Sequence, residues 1–442
     1  MKKKYDYIVV GSGPGGATLA KELSYQTNSV LIVEYGPRFT KTGIRNVSTS
    51  SILIDKDKRP IRSDGGIWIG RARVLGGSSY VGMGNAVTPP KTILDEWGID
   101  LSEELASAKK DMNVTLMPRD LIGQGTQKII DGARSIGLEM KPTPKCVDFS
   151  KCASCGQCMW GCPTQAKWTS VDFIDDAINN GAELLLNTEV KRVLHNNEKV
   201  TGIHAIKEGT ELKIDGVNVI LSAGALETPR ILQNTGISDA GKGIALDVFQ
   251  TTYGYTEDVG MQNEHIMAVY LDKLVNDKEL FSAPYMYHPY YLVRDIKGHT
   301  PTRIGIAEQL KIIVKSRGID ARRLIGMMTK IRDEITGEVR NDGTIRKTLT
   351  DKDQAKLDEA HEINKRILVA AGAHSKTILR GVYESGHPCC TAPIGKIVDE
   401  NQETEVKGLF VSDASIFPSP LGMPPTLTIV ALSKKLSRFL TH

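Results

Sequence analysis

The sequence predicts a mixed fold, α/β combined with α+β: a discontinuous domain on a parallel sheet, interrupted by a domain on an antiparallel sheet. Three observations carry that expectation. A glycine-rich turn joins two short apolar strands close to residue 5. Residues 245–350 change to strand-like runs that alternate aromatic and charged side chains. Residues 386–442 then return to the character of the first segment. The expected organisation is 1–244, carrying a cysteine-rich insert at 146–163, then 245–385, then 386–442 rejoining the first domain. A chain of 442 residues exceeds one ordinary domain and fits such a plan.

The first element is the most informative. Tyr5-Asp6-Tyr7-Ile8-Val9-Val10 reads as a buried strand, Ala17 to Leu23 as a helix, and Ser29 to Val33 as a second strand ending in Glu34. Between strand and helix lies Gly11-Ser12-Gly13-Pro14-Gly15-Gly16, a G-x-G-x-x-G turn. Strand, glycine turn, helix, strand and acid in that order make a Rossmann-type dinucleotide site. Gly11 permits the tight turn, Gly13 lets the backbone approach a pyrophosphate, and Gly16 lets the helix pack on the strand. Glu34 can accept from ribose hydroxyls. The motif alone does not choose between FAD and NAD.

Residues 38–65 read as polar loop, followed by Ala72-Arg73-Val74-Leu75-Gly76-Gly77-Ser78-Ser79, a backbone able to lie against a ring or a phosphate. Residues 94–141 read as mostly helical. Val190 and Val193 belong to one strand-like run, Val200 to Ile206 to another, and Val217 to Leu221 to a third. Thr228 before Pro229 suits a helix N-cap. Strands are expected at Ile266–Leu271, Tyr285–Val293 and Leu324–Arg332, and a helix at Asp351–Ala371. Near the end come a strand through Gly408–Asp413 and a helix opening at Gly422–Thr426.

Composition narrows the class. The chain is 40% hydrophobic and 24% charged, the balance of an ordinary globular protein. Its net charge of +4 from 56 basic and 52 acidic residues is too even to argue for nucleic acid. No apolar run reaches the ~18 residues of a membrane span. Met1-Lys2-Lys3-Lys4 resembles a signal n-region, but the residues behind it are the first strand rather than an apolar core, so a cytoplasmic location is expected.

Of seven cysteines, five fall within 17 residues. Cys152-x2-Cys155-x2-Cys158-x3-Cys162-Pro163 has the spacing of bacterial ferredoxin ligands. Gly156 and Gly161 allow the tight turns between thiolates. The four cysteines are the expected ligands of an iron–sulfur cluster, 4Fe–4S ahead of 3Fe–4S. The fourth ligand is open among Cys162, Cys146, Cys389 and Cys390. The rival is a four-thiolate zinc site, which prefers two C-x2-C pairs set further apart.

Four separated motifs together resemble the glucose–methanol–choline (GMC) oxidoreductase family. They are the N-terminal glycine turn, the Ala72–Ser79 segment, and Gly224-Ala225-Leu226-Glu227-Thr228-Pro229-Arg230-Ile231-Leu232. The fourth is the C-terminal block of His387-Pro388, Thr391, Gly395, Gly408 to Ser415 and Pro425-Thr426-Leu427-Thr428-Ile429. The resemblance spans the chain and implies noncovalent FAD, since the Gly-Gly-Ser-Ser segment has no histidine to link to the flavin. It implies FAD contacts from Gly11, Gly13, Gly16, Glu34, Arg73, Gly76, Gly77, Ser78, Ser79, Val190, Gly224, Asp413, Pro425 and Thr426. It implies that His387 takes the proton of an alcohol while hydride passes to flavin N5. Three departures stand out: Gly82 where the family has Asn or His after the serine pair, Pro424 at the second catalytic position, and a short chain. Sugar dehydrogenases of the family carry a similar cysteine block.

The leading expectation is therefore an FAD-dependent dehydrogenase of an alcohol, polyol or sugar hydroxyl. Its electrons would be relayed through the cluster to an external acceptor, a protein or a quinone-like molecule. Two alternatives stay open: a flavin and iron–sulfur reductase or desaturase of an activated C–C bond, and an electron-transfer subunit with no small substrate. Tyr285, Tyr287, His288, Tyr290 and Tyr291 are candidates for the substrate side.

Overall fold

A computed structural model describes residues 4–27, 29–43, 61–196, 198–261, 263–286 and 321–441. Its first sheet grows from β1 (Tyr5–Val10). β2 (Val30–Val33) lies parallel to it, and β3 (Glu183–Leu185) lies parallel to β2. On the other side of β1 runs β6 (Thr210–Leu221), a long strand with two kinds of partner. Its second half is parallel to β1 and to β10 (Leu409–Val411). Its first half is antiparallel to β5 (Val200–Lys207), which pairs in turn with β4 (Thr188–His195). Ile8, Val9 and Val10 are all buried in the core that helices share with the parallel part. These helices include α1 (Pro14–Ser24), α2 (Ser170–Asn179) and α5 (Thr426–Thr441), with α1 in contact with the other two. Both ends of the chain meet there: the Tyr7 hydroxyl donates to the Leu440 carbonyl.

The second sheet is antiparallel at its centre. β7 (Phe249–Tyr255) pairs with β9 (Leu324–Ile331), and β9 with β8 (Leu280–Pro284). Short strands at Glu384–Ser385, Trp68–Ile69 and Ile61–Arg62 extend it. Alternation along the strands divides its side chains between two cores. Leu280, Met327 and Ile331 face α4 (Asp351–Ala370), whose Leu357, Ile367 and Leu368 complete that core. Phe249, Phe281 and Met328 join the core of the parallel sheet instead. α4 begins at a capping box. Thr350 accepts from the Asp353 N–H, and the Asp353 carboxylate accepts from the Thr350 N–H.

Several sequence expectations are refined. The 94–141 stretch contains helices at Lys91–Trp97, Ser102–Asp111 and Gln124–Ser135, with two-residue strands between and after them. Ile266–Leu271 contributes only Val269–Tyr270, because the chain turns at Met267 (φ +56°). A strand at Leu280–Pro284 precedes the one expected at Tyr285–Val293, of which only Tyr285 and Met286 are described, outside any strand; Tyr287, His288, Tyr290 and Tyr291 lie outside the described residues. Thr228 is not an N-cap but the first residue of α3 (Thr228–Thr235), because its hydroxyl is drawn to the buried Asp413 carboxylate at 2.6 Å. Among the described residues, no helix is long and apolar enough to cross a membrane.

The link between the two sheets is held by a buried ion pair. Asp333 Oδ2 lies 2.8 Å from Lys347 Nζ, with both side chains fully buried. Its carboxylate also accepts the Leu246 N–H at 3.1 Å and the Val248 N–H at 3.4 Å. Lys347→Met strands that carboxylate without a counter-charge, and urea unfolding is expected to show a loss of ~3–5 kcal/mol. Lys91→Ala, at the exposed Lys91–Asp95 pair, is the control and is expected to cost under ~0.5 kcal/mol. Equal effects would show that the buried pair does not hold the link.

Candidate functional site

The glycine turn is shaped by backbone contacts. Gly11 has φ +100°, and a Cβ there would overlap the Ser222 carbonyl. A Cβ on Gly16 would overlap the Gly11 carbonyl, and one on Gly15 the Ser412 carbonyl. Gly13 is different: a Cβ there meets nothing within 4 Å. The turn is thus closed against protein on three sides and open at Gly13, where α1 starts with Pro14 in its first turn and presents its free N–H groups. That is the shape and donor set of a pyrophosphate cradle.

Glu34 is buried and holds the neighbouring loop. Its Oε2 accepts from the Ser12 hydroxyl (2.6 Å) and N–H (3.0 Å), and its Oε1 from the Gly36 N–H (2.6 Å). Burial pushes its carboxyl up, while those donors pull it down. Ser12 Oγ also accepts the Gly76 N–H at 2.9 Å, which joins the first glycine turn to the second. Gly76 and Gly77 both have positive φ (+91° and +55°), so the strand-like approach through Val74 bends there. Ser79 is buried and donates to the Gly76 carbonyl, whereas Ser78 is exposed and accepts the Ala72 N–H. The Arg73 guanidinium lies 3.9 Å from the centre of the Tyr35 ring. Val190 is buried in β4, two residues beyond the Thr188 N–H that donates to the Glu34 carbonyl.

Asp413 joins the other two motifs. Its Oδ2 accepts from the Gly224 N–H (2.8 Å) and the Thr228 hydroxyl, and its Oδ1 from Ser415. Gly224 (φ +81°) leaves open space at its Cα. Pro425 and Thr426 stand at the start of α5, which aims a helix N-terminus from the C-terminal block. Sequence pattern alone does not announce Ser12, Gly15 or the role of Asp413 as a clasp. Ser12 was within view, since it is the small hydroxyl residue inside the glycine motif.

His387 lies at the other end of the site. Its side chain is 22% exposed, its Nδ1 is 3.7 Å from Asp247 Oδ2, and Nδ1 is buried with no hydrogen-bond partner among the described residues. Burial, and then the Lys330 ammonium, hold its imidazole well below the usual range, with the Met423 carbonyl acting the other way. Asp247 Oδ1 accepts the Gly422 N–H at 2.9 Å, and burial followed by Asp333 pushes its carboxyl up. Cys389 and Cys390 are buried with their sulfurs 3.5 Å apart. Burial, then Cys390, Asp247 and Asp333, push the Cys389 thiol up. Pro424 is buried and offers no polar group.

The cysteine loop carries a feature that the spacing did not reveal. Among the described residues, no three His, Cys, Asp or Glu side chains are gathered closely enough to hold a metal ion. Cys152 Sγ lies 3.2 Å from His265 Nε2, and Cys146 Sγ donates to the Gly84 carbonyl. Two buried lysines flank the cysteines. Lys167 Nζ donates to the carbonyls of Ser79 (3.0 Å), Tyr80 (2.8 Å), Gly82 (2.7 Å) and Cys158 (3.0 Å). Lys145 Nζ donates to Met83 O, Asn85 Oδ1 and Ile266 O. None of these partners is an anion. Burial pulls both ammonium groups down, and Cys158 is the strongest group opposing it for each. Their positions, bracketing the cysteine block in sequence, were the missed signal. Lys167 also ties the loop to the Gly76–Ser79 turn.

Known proteins match the chain along nearly its whole length. The GMC oxidoreductase family model matches residues 5–256 in its N-terminal part and 311–433 in its C-terminal part. An uncharacterized protein of Methanocaldococcus jannaschii is 28% identical, with 98% of this chain and 99% of the relative covered. A long-chain-alcohol oxidase of Arabidopsis thaliana is 24% identical over 98% of this chain and 67% of its own. Among solved structures, pyridoxine 4-oxidase from Mesorbium loti superposes with a TM-score of 0.70 at 16% identity, covering 98% of this chain and 99% of the other. Formate oxidase gives 0.69 at 15%, covering 99% and 98%. At those identities the likeness shows the fold.

The glycine contacts separate two kinds of substitution. Gly16→Ala drives a methyl into backbone and is expected to cost ~1–3 kcal/mol in urea unfolding. Gly13→Ala, with open space around it, is expected to fold to within ~0.5 kcal/mol of the parent. It should nonetheless purify with its flavin absorbance largely lost. A Gly13→Ala protein that keeps its flavin would remove the cradle from this turn.

Proposed function

The chain belongs to the GMC oxidoreductases, FAD-dependent enzymes that act on alcohol-type substrates, and from that premise we propose that it is a dehydrogenase of a small hydroxylated substrate. The substrate class is an alcohol, polyol or sugar hydroxyl, and the base is His387. FAD, when bound, supplies the hydride acceptor. Gly11, Gly13 and Gly16 would hold its pyrophosphate. Glu34 and Val190 would hold the adenosine side. Arg73, Gly76, Gly77, Ser78, Ser79, Gly224, Asp413, Pro425 and Thr426 would hold the rest. What supports the base assignment is an imidazole held below its usual range by burial, with a buried, unpartnered Nδ1 3.7 Å from Asp247 Oδ2.

The same proposal includes an iron–sulfur cluster on Cys152, Cys155, Cys158 and Cys162. One observation carries it: two fully buried ammonium groups beside these cysteines have only neutral oxygens as hydrogen-bond partners. Buried charge without a counter-ion is costly. A thiolate-ligated cluster is anionic and would supply that counter-ion. A cluster transfers electrons singly, which suits an external protein or quinone-like acceptor better than direct use of oxygen.

Two measurements test the two halves. Protein purified without oxygen is expected to carry about four irons and four sulfides per chain, lost in Cys155→Ser, with flavin retained. About one zinc and no iron would overturn the cluster and leave a structural metal. For the base, His387→Ala is expected to lower kcat at least ~100-fold with flavin content unchanged. Because burial and then Lys330 hold the imidazole below its ordinary value, against the Met423 carbonyl, kcat/KM in the parent should stay level as pH falls through 6.5, the ordinary value for histidine. An acid limb centred at or above that value would place the base elsewhere.

A further inference from the structure

Five lysines are buried in the described residues, and four of them are capped by oxygens. Lys145 and Lys167 have carbonyl or amide oxygens, Lys347 has Asp333, and Lys434 has Glu22 and Asp111. Lys330 is the exception. It is 3% exposed, yet among the described residues its ammonium makes no hydrogen bond and no ion pair. Its nearest described contact is the face of the Phe249 ring, 4.4 Å from Nζ to the centroid.

Its place in the sheet says where it points. On β9, Lys330 pairs with Phe249 of β7 and Phe281 of β8, so the three lie in one row on one face. Phe249 and Phe281 belong to the core shared with the parallel sheet, not to the core under α4. Lys330 therefore lies on the face turned to the parallel-sheet core, in a row that runs through Phe249 to Glu384, three residues before His387. The carboxylates facing it are Asp247 and Glu384. Asp247 is a poor counter-ion: it already accepts from Gly422, and burial and Asp333 favour its neutral form. Glu384 lies one strand further, opposite Phe249.

We propose that Lys330 is the anchor for a substrate carboxylate, so that the molecule oxidised at His387 is a hydroxy acid. The proposal rests on the reading above that His387 receives the hydroxyl proton. A largely buried lysine whose ammonium has no described protein partner can be given one by an anion that the substrate carries. One cation among Phe249, Phe281 and Tyr285 fits a monoanion rather than a phosphate, which needs several donors. Pro424 has no polar side chain to offer there, so Lys330 is the donor that the proposal calls on.

The test uses the holoenzyme under anaerobic conditions, with flavin bleaching as readout. Matched pairs are compared: lactate with propane-1,2-diol, glycerate with glycerol, gluconate with glucose. In the parent, kcat/KM for the best acid is expected to exceed that for its neutral partner by at least ~30-fold, the low end of a buried charge pair. In Lys330→Met the preference should fall below ~3-fold, mainly through KM of the acid. Binding is followed separately from turnover. Acetate should perturb the oxidised flavin spectrum of the parent and of Lys330→Arg, but not that of Lys330→Met. Replacing a buried charge by a hydrophobe of similar volume should leave the protein folded, as its flavin content and melting temperature will report. A neutral alcohol preferred by the parent, or a preference for acids that survives Lys330→Met, overturns the proposal. If no hydroxyl compound is turned over while acetate still requires Lys330, the dehydrogenase reading falls and the anion site stands. If alcohols are turned over and acetate neither binds nor competes, the anion site falls alone.

Discussion

Three strand ends converge where side chains have no room. The carbonyls of Gly11, Ser222 and Ser412, at the ends of β1, β6 and β10, each sit where a Cβ on Gly16, Gly11 or Gly15 would lie. The first turn of α1 can descend onto the sheet only because those positions carry none. Everything else at the cofactor end depends on that descent. It sets Ser12 within reach of Glu34 and Gly76, and it brings Ser412 and Asp413 alongside Gly224. Four motifs spread over the chain thus become one surface through backbone contact and two buried carboxylates.

The second theme is the handling of buried charge. At the sheet junction an ammonium and a carboxylate neutralise each other, and the pair orders the Leu246–Val248 backbone. Beside the cysteines, ammonium groups rest on neutral oxygens, an arrangement that makes sense when an anion is to be added. On the row that leads from β9 to Glu384, the Lys330 ammonium has no oxygen partner among the described residues. These three solutions run from structural to functional, because the less the protein satisfies a buried charge itself, the more it can offer to a ligand.

Much of the fold was legible because it is written in short-range pattern. Continuous apolar strands, glycines at fixed offsets and an acid after the second strand mark β1, α1 and β2 without tertiary information. The antiparallel character of the second sheet and the helix at Asp351–Ala370 were legible for the same reason. What escaped depends on partners far away in sequence. Thr228 looks like a cap until Asp413, 185 residues later, claims its hydroxyl. Glu34 reads as a ribose acceptor alone, yet its two oxygens also take donors from Ser12 and Gly36 and so order the loops around it. Lys145, Lys167 and Lys330 read as ordinary surface charges, since nothing local says that a lysine will be buried. Of the candidate site, the backbone cradle was visible and the electrostatics were not.

The bond from the Tyr7 hydroxyl to the Leu440 carbonyl joins residues 433 positions apart. On a ribosome adding ~5–20 residues per second, β1 and α1 wait roughly 20–90 s for the strand and helix that complete their sheet. Throughout that interval the apolar flank of α1 and an edge of the long β6 have no cover. Until β10 and α5 arrive, the unfinished sheet offers the apolar surface and unpaired strand edge through which incomplete chains associate.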